Sequence, residues 1–352
     1  MSHRKSERTM TTKQINLALQ GGGAHGAFTW GALETLLSDD RIEIAAMSGT
    51  SAGALNGAAV KSGIIQNGKQ GALDNLASLW GEVSGAYSEG ITQWLMPLGA
   101  HNVSKALENS WPYAVGEAFT RMVSPYSYGV FYNNPLKPIV NALSYDCVCA
   151  DEGPDLFINA TRVRDGKLRV FNAREVTPDV IMASACLPTL FQAIEMFDTQ
   201  TGQDEAFWDG GYTGNPALFP LFDTSLPEDI VVINVNPLER KELPTSPQQI
   251  QNRLNEISFN SSLLREMRAI DFVQRLLDSG TLQPGQMAQV HMHMIADDAL
   301  MNILSVATKT VPNAYIIQTL RVAGRESAKQ FLDAHFDDLN QRSSLNLRDM
   351  FN

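Results

Sequence analysis

Two polar residues stand where acyl-transfer chemistry would need them, Ser51 and Asp209. Ser51 is the centre of Gly49-Thr50-Ser51-Ala52-Gly53. A G-x-S-x-G pentapeptide presents a nucleophile when it forms a sharp turn from strand to helix. The flanks supply that context: Ile42 to Met47 is an apolar strand candidate, and Ala54, Leu55, Ala58, Ala59 and Val60 mark a helix of small residues. Gly49 and Gly53 remove side chains that would block the turn and the approach of the helix. Ser51 Oγ then stands above the sheet at a helix N-terminus, where developing negative charge is stabilised. The plainer alternative is a tight turn with an N-capping Ser or Thr. Asp209 ends the strand candidate Ala206 to Trp208 and is followed by Gly210 and Gly211. An acid so placed can be held close to another loop, although Asp-Gly-Gly alone is usually a plain turn.

A third feature completes the chemistry. The strand candidate Ile15 to Leu19 ends in Gly21, Gly22 and Gly23, and a helical pattern with Phe28, Leu33, Leu36 and Leu37 follows. Glycines between strand and helix can cradle a phosphate, but GGGAHG is neither the dinucleotide fingerprint nor a G-x-x-x-x-G-K-[ST] loop. The better reading is an oxyanion hole, with free N–H groups at Gly21 to Ala24 facing the oxygen that turns negative. Loss of one such donor typically costs about 2.7–4 kcal/mol in the barrier. His25 lies in this loop, either lending it positive character or standing exposed at the helix start.

A serine nucleophile prompts a search for a triad. Ser51, Asp209 and His291 or His293 follow the Ser, Asp, His order of α/β-hydrolases. His291 and His293 also share one face of the strand candidate Gln289 to Ala296, a spacing that suits a metal. No further ligand is spaced to complete such a site, and neither histidine ends a strand beside a Gly-rich turn. A structural role is the favoured reading for both, and no metal or cofactor is expected.

The elements that must hold these residues are legible as alternating helix and strand patterns. The 352-residue chain is 44% hydrophobic, enough for a sizeable core. Its net charge of −11 argues against nucleic acid and against strong attraction to anionic lipid. The odd number of cysteines, Cys147, Cys149 and Cys186, argues against a disulfide framework. No apolar run is long enough to span a membrane, and the polar start MSHRKSERTMTTKQ lacks a signal-peptide core. A cytoplasmic protein is expected, with residues 1–12 as a mobile tail.

Further along, 73–80 is helical, with Leu73, Leu76, Leu79 and Trp80. Segment 84–132 loses its period and gathers aromatics, among them Tyr87, Trp94, Trp111, Phe119, Tyr126 and Tyr132. It reads either as a flap over an apolar acyl pocket or as an insertion of short helices with its own small core. Asn134 to Leu143 reads as a short helix. Asp155 to Val163 and Lys167 to Asn172 flank Asp165-Gly166, a hairpin signal. Val176 to Ala185 is helical; Leu190 to Met196 and Ile230 to Val235 are strands, the latter a buried parallel one. Ile250 to Leu277 is a long helix. Its apolar face includes Leu254, Ile257, Leu263 and Met267, and its arginines Arg253, Arg265, Arg268 and Arg275 suit a solvated face better than a membrane-bound one. Ala314 to Leu339 is a closing helix.

Three blocks now line up in order: GGGAHG, GTSAG and Asp209-Gly210-Gly211, with ASACLPTLF (Ala183 to Phe191) before the last. Together they resemble the patatin-like phospholipase family from about Ile15 to Phe219. The resemblance implies a three-layer α/β/α fold with a mostly parallel central sheet. A catalytic domain is expected over 13–240, and the patterning beyond it reads as a mostly helical part, 241–352, packed on the same domain. The resemblance also implies a Ser–Asp dyad: Ser51 as nucleophile, Asp209 as general base, Gly21, Gly22 and Gly23 as the oxyanion loop, with Gly49, Gly53, Gly210 and Gly211 in support. Many members carry Arg or Lys in the glycine loop where this chain has His25, so its oxyanion hole would be weaker or pH-dependent.

The expected function is hydrolysis of phospholipid, lysophospholipid or another long-chain acyl ester. The same dyad would also suit acyl thioesters, neutral lipids or storage polyesters, which the acidic charge mildly favours over an anionic bilayer. A transient contact with a membrane or lipid surface fits either substrate class. A non-enzymatic lipid-binding or interaction module is the third reading, and intact Ser51 and Asp209 argue against it. Nothing in the sequence sets an oligomeric state.

Overall fold

The computed structural model describes residues 12–85, 99–240, 243–283 and 285–351. The expected tail, apart from Thr12, and part 86–98 of the aromatic segment, with Tyr87 and Trp94, lie outside the described residues.

The main elements in chain order are β1 (Lys13–Leu19), α1 (Gly26–Ser38), β2 (Ile42–Gly49), α2 (Ala52–Ser84), α3 (Trp111–Met122), β3 (Asp155–Arg162), β4 (Leu168–Asn172), α4 (Pro178–Ser184), β5 (Ile194–Asp198), β6 (Gln203–Asp209), β7 (Asp229–Ile233), α5 (Pro247–Asp278), β8 (His291–Ile295), α6 (Ala307–Thr310) and α7 (Ala314–His335). One sheet holds all the strands in the order β5-β6-β3-β2-β1-β7-β8, with β4 paired to β3. β3, β2, β1, β7 and β8 run parallel, whereas β4, β5 and β6 pair antiparallel.

The continuous apolar runs are explained by burial on both faces. Leu17, Leu19, Val231 and Ile233 point into a core shared with Phe28, Leu33 and Leu36 of α1 and Leu320 and Phe331 of α7. Their neighbours Ala18, Ile230 and Val232 point the other way, onto Leu263, Met267 and Ile270 of α5. Successive strand residues thus feed opposite layers, which makes the three-layer arrangement. No described helix is long and apolar enough to cross a membrane.

Several boundaries differ from the sequence pattern for identifiable reasons. α2 folds back at Asn67 (φ −155°, ψ 35°) and Gly68 (φ 60°, ψ −152°). Its halves are stapled by Trp80 Nε1 donating to Asn56 Oδ1 at 2.9 Å and Asn75 Nδ2 donating to Ser62 Oγ at 3.0 Å. The expected strand from Leu190 begins only at Ile194, because the N–H groups of Gln192 and Ala193 donate to the Tyr132 and Tyr126 hydroxyls instead of a ladder. The short helix expected over Asn134 to Leu143 is confined to Lys137–Asn141. α7 ends at His335, and the Lys13 ammonium caps the Phe336 and Leu339 carbonyls beyond it. On α5 the inward residues change character along the helix. Leu263 and Met267 are buried, but toward the N-terminus Glu256 and Asn260 turn inward while Leu254 and Ile257 are exposed.

Candidate active site

The C-terminal ends of β1 and β2, in register at Leu19 and Gly49, deliver the glycine loop and Ser51 to one place. Ser51 has φ 55° and ψ −120°, the strained geometry of an elbow. The turn is held from three sides. Ser51 N–H donates to Ser184 Oγ at 2.9 Å, and that hydroxyl donates to the Asn159 carbonyl at 2.7 Å. Thr50 Oγ1 donates to the Gly214 carbonyl at 2.7 Å. Asn159 Nδ2 reaches Ser48 Oγ, the Gly49 carbonyl and Thr50 Oγ1. The glycines are steric requirements: a Cβ on Gly53 would lie 2.0 Å from the Leu19 carbonyl oxygen. Gly49 backs onto Gly53, and Gly210 onto the Asn159 carbonyl.

Asp209 ends β6 beside β3, paired with Ala160. Its N–H donates to the Cys186 carbonyl at 2.8 Å, and its own carbonyl accepts Thr161 Oγ1 at 2.8 Å. The backbone is therefore pinned on both sides while the carboxylate faces Ser51. Asp209 Oδ1 accepts the Gly211 N–H at 2.7 Å. Burial pushes the carboxyl up to about 7, against the smaller opposing pull of the Gly211 N–H and the Ser51 hydroxyl. Ser51 is 9% exposed and Asp209 1%, so the pair is nearly dry. Cys186 is no rival nucleophile: burial, aided by the Asp209 charge, pushes its thiol up to about 12.

The glycine loop lies against the nucleophile, since a Cβ on Gly21 would sit 2.8 Å from Ser51 Cβ. Its donors are not equivalent. Gly21 N–H is already taken by Asn215 Oδ1 at 2.7 Å, so Gly21 shapes the loop rather than donating to a reacting oxygen. The N–H groups of Gly22, Gly23 and Ala24 have no partner among the described residues. Asn236 Nδ2 holds the Gly21 carbonyl at 2.8 Å, and Gln20 Oε1 in turn accepts from Val235 N and Asn236 N. Asn215, Asn236 and Asn159 did not stand out in the sequence, where each is an ordinary polar residue in a loop or strand, and the ASACLPTLF block contains Ser184 without marking its role.

His25 is neither exposed nor cationic. It is 1% exposed, with Nε2 2.7 Å from Thr308 Oγ1 of α6. Burial first, then the Lys309 and Arg240 charges, holds its pKa well below the usual histidine value. It cannot lend the loop a positive charge at neutral pH. His291 and His293 lie on β8 alongside Asp229 and Val231 of β7, toward the N-terminal ends of the strands and away from Ser51. His293 Nε2 meets Asp229 Oδ1 at 2.9 Å, and His291 Nδ1 lies 3.8 Å from Asp229 Oδ2. A triad through either histidine is thus not assembled. An open cleft of about 850 Å³ runs along Glu34, Arg41, Arg325 and Lys329 and includes neither Ser51 nor Asp209.

A family described as "Patatin-like phospholipase" matches residues 17–222. No curated protein matches the chain. Among solved structures, VipD from Legionella pneumophila is similar at 14% identity and a TM-score of 0.42, with 92% of this chain and 67% of that chain covered. The heterodimeric complex ExoU–SpcU from the type III secretion system of Pseudomonas aeruginosa is similar at 15% identity and a TM-score of 0.34. There 93% of this chain aligns, spanning 52% of the other.

Proposed function

The chain belongs to the patatin-like phospholipase family, and from that premise we propose that it hydrolyses lipid acyl esters with Ser51 as nucleophile and Asp209 as general base. The observation that carries this reading is a strained, nearly dry Ser51 facing a buried carboxyl raised to about 7. An ordinary aspartate near 3.9 is too weak a base for a hydroxyl, whereas one near 7 is matched to neutral pH.

Asp209 accepts the proton as Ser51 Oγ attacks the ester carbonyl carbon. The carbonyl oxygen becomes negative and is held by the N–H groups of Gly22, Gly23 and Ala24. Collapse breaks the bond to the alcohol, which leaves with the proton from Asp209, and an acyl-Ser51 remains. Asp209 then takes a proton from water, the hydroxide adds to the acyl carbon, and the acid departs as Ser51 recovers its proton.

Hydrolysis of p-nitrophenyl esters of increasing chain length, with a chelator present, tests the dyad. Asp209→Asn is expected to lose roughly 10²–10⁴-fold in kcat and Ser51→Ala more. Substantial activity left in Asp209→Asn would sink the dyad. Covalent labelling of Ser51 by a fluorophosphonate separates an enzyme from a binding module on the same scaffold, which would not react.

The exposed side chains of α3 support contact with a lipid surface. Trp111, Val115, Phe119 and Met122, spaced along one helical face, are all exposed, as are Tyr126 and Tyr128 just beyond. Trp111→Ser with Phe119→Ser is expected to slow hydrolysis of phosphatidylcholine vesicles several-fold and leave a soluble short-chain ester untouched. Equal loss on both substrates would assign the stripe a packing role.

A further inference from the structure

The glycine loop carries no cation of its own, since His25 is neutral, yet a cation stands behind it. Lys309 belongs to α6, whose backbone presses on the loop so closely that a Cβ on Gly23 would sit 2.3 Å from the Lys309 carbonyl oxygen. The Lys309 side chain is only 13% exposed. Its ammonium donates to Asn236 Oδ1 at 2.8 Å. The other end of that amide, Asn236 Nδ2, donates to the Gly21 carbonyl at 2.8 Å. That carbonyl belongs to the same peptide group as the Gly22 N–H, one of the unpartnered donors of the loop.

The chain is therefore directional: ammonium to amide oxygen, amide N–H to peptide oxygen, peptide N–H to the reacting oxygen. Hydrogen bonds in series polarise one another, and the effect is largest in a buried setting. A peptide whose oxygen accepts from a polarised donor holds a more positive N–H. We infer that Lys309 is a positioning residue that polarises the oxyanion hole through Asn236 and the Gly21–Gly22 peptide. The inference rests on the Ser51–Asp209 reading above.

The groups around Lys309 fit this role. Glu256 Oε1 of α5 is 3.7 Å away, but it is already held by Arg240 at 2.6 Å, with Arg253 at 3.3 Å from its other oxygen. One carboxylate thus faces three cations, and the surplus charge lies beside the loop. His25, packed on the same element, is neutral. Burial and the Arg240 charge lower the Lys309 pKa from the usual lysine value, with Glu256 opposing. An arginine in its place would keep its charge to higher pH.

The test uses hydrolysis of a short p-nitrophenyl ester by wild type, Lys309→Met, Lys309→Arg and Asn236→Ala, with Ser51→Ala as reference. Lys309→Met is expected to lower kcat about tenfold, less than loss of a whole oxyanion donor, with KM unchanged. Lys309→Arg should recover most of the loss and move the alkaline decline of kcat to higher pH. In an Asn236→Ala background, Lys309→Met should cost little more, because the relay is already cut. Wild-type kcat in Lys309→Met, or a full tenfold loss in the Asn236→Ala background, overturns the relay while leaving the dyad intact. If Lys309→Met does not fold, the pH profile of Lys309→Arg decides: an alkaline limb identical to wild type overturns the proposal. Full activity in Ser51→Ala would instead bring down the reading beneath it.

Discussion

Two buried aspartates occupy opposite ends of one sheet, and their surroundings make them opposite kinds of acid. Asp209 is 1% exposed and Asp229 is fully buried. Asp229 opens β7 and is saturated with donors. His293 lies at 2.9 Å, and the Asn340 backbone N–H and Nδ2 donate at 2.8 and 2.9 Å. Burial alone would raise this carboxyl, but the histidines and Asn340 outweigh it and hold it well below the usual range. Asp209 has the Gly211 N–H, the Ser51 hydroxyl and, among the described residues, no charged partner in contact, so burial wins and the carboxyl rises to about 7. Burial by itself does not make a base. A buried carboxylate becomes one where the fold withholds a cation, and a latch where the fold supplies donors.

Exchanging each aspartate for asparagine breaks this comparison most directly. Asp209→Asn should lower kcat by roughly 10²–10⁴-fold, as above, and stabilise the protein at neutral pH. The wild-type carboxyl binds its proton more tightly folded (about 7) than unfolded (about 3.8), so ionisation opposes folding. Stability on its account is full below about pH 4 and falls as pH rises to 7, by roughly 4 kcal/mol at most. Asp229→Asn should leave kcat within about twofold and cost about 3 kcal/mol, the scale for breaking a buried ion pair. Its sign is reversed. The folded-state pKa is depressed, so its contribution is present above the unfolded value of 3.8 and lost as pH falls below it. His291, raised by the same pairing, adds stability that is complete below its usual 6.5 and fades as pH climbs through its folded value. Thermal melts from pH 3 to 8 check this. The Asp209→Asn gain should grow with pH, and the Asp229→Asn deficit should shrink in acid. Differences that stay flat with pH would mean that neither carboxyl titrates as its surroundings dictate.

The same contrast explains what could be read from sequence. Gly49, Gly53 and the Gly21–Gly23 run were legible because backbones approach where only glycine fits, and that need leaves a mark on residue type. β7 was legible because burial on both faces demands an unbroken apolar run, here Ile230 to Ile233. The polar scaffold was not. Asn215 grips Gly21 from 194 positions away, and Asn236 from 215. Neither local period nor residue type distinguishes such an Asn from one in a solvated turn. His25 was misplaced for the same reason, since Thr308, 283 positions downstream, covers it. On α5 the apolar period pointed Leu254 and Ile257 inward. Glu256 and Asn260 turn inward instead, because Arg240 and the Pro237 carbonyl satisfy them there. Long-range polar pairing overrides a helical period wherever the partner comes from another part of the chain.

The finest division between the two ends lies in their asparagines. Asn215 bonds Gly21 twice, through Oδ1 to its N–H at 2.7 Å and Nδ2 to its carbonyl at 3.4 Å. Asn340 bonds Asp229 twice and adopts φ 58°, a conformation costly for alanine. Asn215→Ala frees the Gly21 N–H, so the loop can shift by a fraction of an ångström against Ser51. Misplaced donors should lower kcat about tenfold, with little change in melting temperature. Asn340→Ala removes a hydrogen bond to a charged group and forces alanine into a left-handed conformation, a loss of about 2–3 kcal/mol. Asn340→Gly should recover the conformational part of that loss, and both variants should keep wild-type kcat. A fall in kcat for Asn340→Ala comparable to that of Asn215→Ala would mean that the two ends of the sheet are coupled and that Asp229 acts on the chemistry after all. Retention of the division would place turnover at one end of the strands and stability at the other, with the packed sheet between them insulating each from the other.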